Sequence, residues 1–439
     1  MATTTNDRHD PPLVEIERAV QTRAKELALD VSGPRGESEL RALIDDEVRR
    51  WNDEFHRGVR VHELTHPQIV AERAFRNLAR FGPLTPLLLD DDVWEIMING
   101  PDQIFVKRHR EADGYHHEGF HDNEHVLRTL TRVLDESSQN HRKLDASEGL
   151  QDAQLDDGSR IHIVHGDLSH GGNAMVNIRK FTGVPFRSLR ELVERGMLDA
   201  FAARFLRAAV RANASIVFAG APGSGKTTML SCCAAELDPA LRVVVAEEVF
   251  EADVPLPNVA SMQTRPARSD RPAIDLRRLV AGFLRMAPDV AIVGEVRDRE
   301  ALPLLLTLSS GVTGFTTIHA GSARQALTRL RFVAQLADEA SNLPMSALNT
   351  LVSEAIDVVV HCRRRHHGPQ VSEIIAVEDL IAGHDASNFT TTELFVRNTP
   401  DERLTWTGNV PVRLGKVFHT SGLRLADYLG ERIPRREEP

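Results

Sequence analysis

Cysteine is scarce in this chain of 439 residues, which contains only Cys232, Cys233 and Cys362. Three thiols, two of them adjacent, exclude the disulfide framework on which small secreted domains depend. We therefore expect a chain that works in a reducing cytoplasm. Cys232 and Cys233 would point to different faces of one helix, and we expect both to be packing residues.

Long apolar runs are also missing, and none approaches the roughly 18–20 residues that a spanning helix needs. Residues 1–10 lack the apolar core of a signal peptide, so we expect any membrane role to be peripheral. The hydrophobic fraction of 41% and the charged fraction of 26% are typical of a soluble globular protein, and the net charge is −10. This charge argues against nucleic-acid binding over the whole surface, and it leaves a local basic groove open.

Lysine is rare as well, with only six in the chain, and one of these lies in a glycine-rich stretch. The stretch matches G-x-x-x-x-G-K-[ST] and consists of Gly220, Ala221, Pro222, Gly223, Ser224, Gly225, Lys226, Thr227 and Thr228. In such a loop the backbone N–H groups converge on phosphate oxygens, the lysine reaches the β/γ-phosphates, and the threonine hydroxyl ligates Mg²⁺. The apolar run 215–219 predicts a strand before it, and residues 229–237 predict a helix after it. The sequence therefore predicts a nucleotide-binding P-loop with the phosphates at a helix N-terminus.

Carboxylates and a histidine follow three further apolar runs. Glu247 and Glu248 end the run from residue 241, Glu295 ends the run from residue 289, and His319 ends the run from residue 314. The carboxyl ends of parallel strands face the ligand crevice of such a sheet. An acid there orients metal and water, another deprotonates the water, and a histidine senses the γ-phosphate. Glu295 in this interpretation is the Walker B acid, close to the Mg²⁺.

The length predicts two or more domains. From about residue 201 to 360, apolar strands alternate with helices, which is typical of a parallel sheet in an α/β domain. Residues 95–99 and 104–106 flank a turn and predict a hairpin. We expect a flexible or helical N-terminal region, an α+β domain, a linker and an α/β domain with a C-terminal extension, at residues 1–74, 75–184, 185–200 and 201–439.

Two other patterns favour ordinary structural roles. Residues 121–125 fit H-x-x-E-H, the inverted zinc-protease motif, but Asp122 and Asn123 predict a helix start that would separate the histidines. We therefore do not expect a metal site there. Residues 363–368, which contain three arginines and two histidines, lie between two apolar runs and predict a solvated hairpin loop.

The order of these motifs resembles the secretion ATPase superfamily of type II and type IV secretion and pilus assembly, and within it the Tad/Flp pilus and conjugation branches. The resemblance covers roughly residues 75–430 and is strongest in residues 81–88, 94–101, 157–160, 177–181, 284–298 and 316–320. It implies an α/β fold with a RecA-like P-loop NTPase C-domain. A smaller α+β N-domain and a helical N-terminal appendage would precede that domain.

The same resemblance implies an ATP- and Mg²⁺-dependent homohexamer at the inner face of the cytoplasmic membrane, which pushes on an inner-membrane platform protein. Each nucleotide would lie between the two domains, with Arg160 and Arg179 reaching its phosphates. Arg297 would couple the Walker B strand to the neighbouring subunit. Glu247 would be the catalytic base, and His319 the γ-phosphate sensor.

Two positions depart from the family pattern. The acidic box usually contains Glu-Asp, whereas this chain has Glu247-Glu248, which leaves open which of the two acts. Gln263 stands where the family commonly has Glu. Three functions remain from the sequence: a pilus-assembly or secretion motor, a conjugation motor that moves DNA or protein effectors, and a nucleotide-gated scaffold without turnover. A hexameric helicase is disfavoured by residues 294–298 and 316–320.

Overall fold

The computed structural model describes residues 12–30, 33–109, 111–136, 143–180, 186–265, 267, 271–337, 343–365, 368–379, 389–399 and 401–429. The chain divides into two compact units, Met1–Thr182 and Gly183–Pro439.

The first unit contains helices followed by a small mixed region of strands and one helix. Its elements in chain order are α1 (Pro12–Glu26), α2 (Gly33–His56), α3 (Pro67–Ala79), α4 (Leu84–Leu89), β1 (Val93–Gly100), β2 (Gln103–Arg108), β3 (Gly114–Tyr115), α5 (Asn123–Asp135), β4 (Leu150–Gln154), β5 (Arg160–Val164) and β6 (Met175–Arg179).

Helices α1 to α3 form a small bundle with its own apolar core. Leu40, Ile44, Val48 and Trp51 recur every three or four residues along α2 and are all buried, so they form one face of that helix. This face packs with residues of α1 and α3, among them Phe75. The predicted helical appendage is therefore confirmed.

The strands of the first unit form an antiparallel sheet in the order β3-β2-β1-β6-β5-β4. The predicted hairpin is confirmed, since β1 and β2 pair with Ile98 opposite Ile104. Buried residues alternate with more exposed ones along β1, so Ile96 and Ile98 enter the core while Glu95 lies on the opposite face. One face of the sheet is thus apolar and the other polar, as is usual for antiparallel sheets.

A buried polar cluster connects the bundle to the helix that packs on this sheet. The carboxylate of Glu17, in α1, accepts a hydrogen bond from Asn77 Nδ2 at 2.7 Å and lies 2.8 Å from His121 Nε2. Asp122 caps α5 by accepting a hydrogen bond from the backbone N–H of His125. The helix start therefore separates the two histidines of the H-x-x-E-H pattern, as predicted, and His121 contacts Glu17.

The second unit has alternating strands and helices, then an antiparallel extension. Its elements are α6 (Leu189–Glu194), α7 (Ala200–Arg211), β7 (Ile216–Gly220), α8 (Lys226–Ala234), β8 (Val243–Glu247), β9 (Val259–Gln263), α9 (Leu276–Val280), β10 (Val290–Val296), α10 (Ala301–Ser309), β11 (Thr313–Ile318), α11 (Ala323–Gln335), α12 (Met345–Ala355), β12 (Val358–Arg365), β13 (Gly368–Val377), β14 (Thr391–Val396), β15 (Thr405–Trp406) and α13 (Val412–Thr420).

The strands of the second unit form a single sheet, ordered β15-β14-β13-β12-β7-β11-β10-β8-β9. The strands from β12 to β9 in this order run parallel, and β13 to β15 extend the sheet with antiparallel strands. Apolar clusters cover both faces of the sheet. This explains why β7, β11 and the first four residues of β8 are continuous apolar or small-residue runs, and why all three strands are buried at every position.

The three cysteines lie in the core of this unit, fully buried. Burial raises the pKa of Cys232 and Cys362 to about 12, and it raises the pKa of Cys233 well above its usual value. Such thiols are inert at neutral pH, which agrees with the predicted packing role.

One prediction about this unit was correct only in part, since β12 and β13 form the predicted hairpin but its loop does not extend over residues 363–365. The arginines at positions 363–365 belong to strand β12 and pair with residues of β13, Arg365 lying opposite Gly368. The strand continues because residues 363–365 have backbone partners on β13 at positions 368–370, a pairing that the charged side chains conceal in the sequence. Residues 366 and 367 lie outside the described residues. No helix within the described ranges combines the length and the apolar character that a membrane span requires.

Candidate nucleotide site

The glycine-rich loop leaves the central strand β7 at Gly220. A Cβ atom on Gly220 would lie 2.2 Å from the carbonyl oxygen of Cys362 and 2.5 Å from Ser224 Oγ. Its φ of 150° is also one that other residues rarely adopt. Only glycine therefore allows the loop to turn this closely beside β12.

Helix α8 begins at Lys226, so Lys226, Thr227 and Thr228 all lie in its first turn. The backbone N–H groups of a first turn lack partners inside the helix and bind anions readily. Lys226 is almost fully buried, and its Nζ donates a hydrogen bond to the Ala221 carbonyl at 3.0 Å. The same Nζ lies 3.3 Å from His319 Nδ1. The lysine is thus held over the loop, beside the end of β11.

The chemistry of this loop fits a nucleotide phosphate with its metal ion. The Ser224 hydroxyl is buried and has no hydrogen-bond partner among the described residues, which suits a group that meets a ligand oxygen. Thr227 offers a hydroxyl and Glu295 a carboxylate, the hard oxygen ligands that Mg²⁺ prefers. The residues present therefore fit a magnesium–nucleotide complex.

Glu295 lies at the end of β10 and belongs to a charged cluster. Its Oε1 is 2.8 Å from His319 Nε2, and its Oε2 accepts a hydrogen bond from Arg297 Nη2 at 2.7 Å. The other terminal nitrogen of Arg297 donates to Glu248 Oε2 at 3.0 Å. Arg297 is itself fixed, because Glu300 accepts a hydrogen bond from its backbone N–H. The carboxyl ends of β8, β10 and β11, which are far apart in sequence, thus contribute side chains to one charged cluster.

This cluster keeps Glu295 ionised. Burial alone would raise the pKa of Glu295, but the contacts with His319 and Arg297 outweigh burial and hold that pKa well below its ordinary value. The hydrogen bond to Glu295 in turn raises the pKa of Arg297. A carboxylate of this kind remains available as a metal or water ligand across the physiological range.

Glu247 and Glu248 differ sharply in their surroundings. The Glu247 side chain is buried, and its Oε1 accepts hydrogen bonds from the backbone N–H groups of Glu251 at 3.1 Å and Ala252 at 3.0 Å. It packs against Gly294, where a Cβ would approach its Cγ to 2.7 Å. Glu248 is exposed and pairs with Arg297. Glu247 therefore stabilises the turn that follows β8. Glu248 is exposed to solvent, and Arg297 links it to Glu295 by donating a hydrogen bond to each carboxylate.

The two arginines singled out in the first unit are direct neighbours. Arg160 on β5 lies in register opposite Arg179 on β6, and Glu95 of β1 lies opposite Arg179 on its other side. All three are half-buried on the polar face of the sheet. Arg160 and Arg179 are like charges directly opposite each other, an arrangement that by itself disfavours strand pairing, and Glu95 places a carboxylate next to Arg179 on the same face.

The residues of β12 that flank the loop were not predicted from the sequence. Arg364 Nη1 lies 3.4 Å from the Gly223 carbonyl, and the buried His361 contacts the segment after His319. A signal was present, since His361 follows the apolar run Val358–Val360 just as His319 follows the run that ends at Ile318. The other site residues named from the sequence lie in the second unit at the carboxyl ends of β7, β8, β10 and β11.

A parallel sheet with a strand–loop–helix of this sequence at its carboxyl edge defines a P-loop NTPase fold. A family model described as "Type II/IV secretion system protein" matches residues 77–390, and the chain belongs to this family.

Curated relatives agree with this membership. The type IV secretion system protein PtlH of Bordetella pertussis is 32% identical over 313 residues, which cover 64% of this chain and 88% of PtlH. The conjugal transfer protein TrbB of Rhizobium radiobacter is 37% identical over 183 residues, 41% of this chain and 53% of TrbB. The uncharacterized protein MJ0781 of Methanocaldococcus jannaschii is 30% identical over 289 residues, 63% of this chain but only 39% of MJ0781.

Among solved structures, the VirB11 ATPase of the Brucella suis type IV secretion system is 27% identical. The alignment covers 66% of this chain and 94% of that one, with a TM-score of 0.36.

Proposed function

We propose that this chain is an ATP-hydrolysing motor of a type II/IV secretion-family machine. The observation that carries the proposal is the continuous set of contacts from Lys226 to His319 and from His319 to Glu295. These contacts bring the lysine of the loop and the Walker B acid to the same histidine. A carboxylate that is kept ionised beside these two groups supplies the acid that orients metal and water in hydrolysis.

The residues of the loop would bind the phosphates through the first-turn N–H groups of α8 and through Lys226. Thr227 and Glu295 would hold Mg²⁺, which neutralises phosphate charge as it develops. Arg297 keeps Glu295 ionised and positions Glu248. His319 contacts both Lys226 and Glu295, so it is placed to respond to the terminal phosphate.

We assign the catalytic base to Glu248 and a positioning role to Glu247, whereas the sequence alone favoured Glu247. The Glu247 carboxylate already accepts two backbone hydrogen bonds and is buried. Glu248 is exposed and lies within the Arg297 cluster. A general base must reach the water that it deprotonates, and the exposed carboxylate satisfies this requirement better.

Arg160 and Arg179 are the arginines that we propose to contact phosphate. Arginine suits multi-dentate phosphate contacts, and the cross-strand pair concentrates two guanidinium groups in one place. We further propose a homohexamer on the cytoplasmic face of the inner membrane that acts on a membrane platform protein. Family membership supports this assembly.

Steady-state ATP hydrolysis tests the proposal, with the native mass recorded on the same samples. We expect Mg²⁺-dependent turnover in the wild type, in a species of about six protomers, and loss of turnover in Lys226→Ala. Lys416→Ala is the matched control, because Lys416 is an exposed lysine of the same unit that pairs with Asp379 on the surface. A ring that binds ATP without turnover would contradict the motor and favour a nucleotide-gated scaffold.

Two transport processes are compatible with this motor, pilus assembly and type IV secretion or conjugation. The resemblance of the motif order to the Tad/Flp pilus branch favours pilus assembly. The similarity to the type IV secretion system protein PtlH and to the conjugal transfer protein TrbB favours type IV secretion or conjugation. A deletion strain scored for surface pili and for plasmid transfer separates them, since only one of the two phenotypes is expected to disappear and to return with the wild-type gene but not with Lys226→Ala.

A further inference from the structure

His361 lies inside the sheet of the second unit, and its ring is almost entirely buried, with 1% of the residue exposed. Its Nε2 is 3.2 Å from the carbonyl oxygen of Ala320, and its Nδ1 is 2.6 Å from Ser372 Oγ. Both ring nitrogens are therefore engaged, one with the segment that follows β11 and one with β13.

The hydrogen bonds define the state of this ring. Burial lowers the pKa of His361, so the imidazole is neutral and carries one proton. A carbonyl oxygen can only accept, which places that proton on Nε2, directed at Ala320. Nδ1 then carries no proton and lies as an acceptor beside the Ser372 hydroxyl, which is also 3.1 Å from the carbonyl oxygen of His361. The ring works as a fixed donor to the backbone.

Ala320 immediately follows His319, so this hydrogen bond acts on the backbone next to the histidine of the nucleotide site. Two further contacts from the same hairpin hold the segment. Glu373 Oε1 accepts a hydrogen bond from the backbone N–H of Ala323 at 2.8 Å, and Arg363 Nη2 lies 3.4 Å from the Gly321 carbonyl. Strands β12 and β13 thus hold residues 320–323 at three points.

This connection crosses a strand, because β12 and β11 lie on opposite sides of β7. Ala219 of β7 is in register with Ile318 of β11 on one side and with His361 of β12 on the other. Residues in register on neighbouring parallel strands share a face, and the small side chain of Ala219 leaves room for the imidazole to reach Ala320. Apolar packing alone would not require a buried hydrogen-bond donor such as His361 at this position of the sheet.

We propose that His361 is a positioning residue that fixes His319 for recognition of the terminal phosphate by holding the Ala320 carbonyl. The inference rests on the proposed ATPase function. Displacement of a catalytic group by about 1 Å can cost roughly 10²-fold in rate, so one backbone hydrogen bond has a measurable effect here.

Two substitutions of His361 separate the effect of its hydrogen bond from the effect of its packing. His361→Leu removes the donor but keeps an apolar side chain in the core, whereas His361→Gln supplies an amide N–H at a position similar to that of Nε2. Asn349→Leu is the control, because Asn349 is another fully buried polar residue of this unit, hydrogen-bonded to Arg331 on α11.

Turnover and nucleotide preference are the two measurements. For His361→Leu we expect kcat at least tenfold lower, with ADP affinity within about threefold of the wild type. The preference for AMPPNP over ADP should decrease, and we expect a decrease of the same size in His319→Ala. His361→Gln should recover most of both quantities, and Asn349→Leu should keep both. The double variant of His361→Leu with His319→Ala should be no worse than His319→Ala alone, because the first residue acts through the second.

Other results would overturn the proposal. These are wild-type preference in His361→Leu, equal losses in the Leu and Gln variants accompanied by weaker ADP binding, or a fully additive double variant. A wild type that binds without turnover would contradict the proposed function alone, since the binding preference still tests His361. A wild type without any preference for the triphosphate would overturn the role of His361 as well.

Discussion

His319 Nε2 lies 2.8 Å from Glu295 Oε1, although the two residues end different strands of the sheet. The parallel pairing of β10 with β11 aligns their carboxyl ends and so brings the side chains together. Arg297 completes the surroundings of the carboxylate. This arrangement makes Glu295 an ionised acid that responds to changes at His319.

The depressed pKa of Glu295 predicts a particular pH dependence of stability. Because the folded-state pKa lies below the unfolded value of roughly 4.3, the stabilisation is present above that pH and is lost as the pH falls towards the folded-state pKa. Glu295→Gln should therefore lower the free energy of unfolding at pH 7 and have a smaller effect at about pH 3. Urea unfolding at both pH values measures the difference. An equal effect at both would show that the ion pair contributes nothing to stability.

The adjacent glutamates should respond differently to the same substitution. Glutamine still accepts hydrogen bonds but is no base, so Glu247→Gln should keep the turn at Glu251 and most of the activity. Glu248→Gln should reduce kcat by roughly 10²-fold or more, the usual contribution of a general base. Steady-state kinetics on the two variants, with thermal melting as the control for folding, measures this. A larger loss of kcat in Glu247→Gln than in Glu248→Gln would show that Glu247 is the catalytic base.

How much of this site the sequence predicts depends on how local each feature is. The loop, the helix after it and the strand-end residues Glu295 and His319 are predictable because each belongs to one short segment. The opposite environments of Glu247 and Glu248 are not, because they depend on where β8 ends and on the turn that follows. His361 was missed because its target, Ala320, is reached across β7.

The cross-strand pair of Arg160 and Arg179 predicts that substitution of Arg160 lowers turnover without lowering the stability of the fold. Arg160→Gln should lower turnover by roughly 10³-fold, the scale of an arginine that contacts the transferred phosphate. The fold should tolerate the change, since the substitution removes one of two like charges placed opposite each other. Kinetics and thermal unfolding on one preparation measure both quantities.

Arg128→Gln is the control for this variant, as Arg128 is an exposed residue of α5 in the same unit. Its effect on stability should stay within about 0.5 kcal/mol and its turnover should equal that of the wild type. Unchanged turnover in Arg160→Gln would show that this arginine does not contact the transferred phosphate.

The contacts of Glu17 predict that the N-terminal bundle is fixed to α5. Glu17→Ala leaves the Asn77 amide and the His121 ring without their buried acceptor, at a cost of about 2–3 kcal/mol. Burial already lowers the pKa of the neighbouring His125 to about 3, so that ring gives no charge to replace the contact. Urea unfolding and proteolysis of the bundle measure the loss. Glu39→Ala, on the exposed face of α2, should have little effect; equal losses in both variants would contradict the role of Glu17.

The fate of bound nucleotide in Glu295→Gln tests the central claim most directly. Wild type and variant are incubated with radiolabelled ATP and Mg²⁺, the protein is isolated rapidly, and bound ATP and ADP are quantified. We predict that the wild type holds mainly ADP, while the variant still binds ATP through the loop and Lys226 and holds it unhydrolysed. A variant that converts bound ATP to ADP at the wild-type rate would contradict the role of Glu295 in holding the metal ion for hydrolysis.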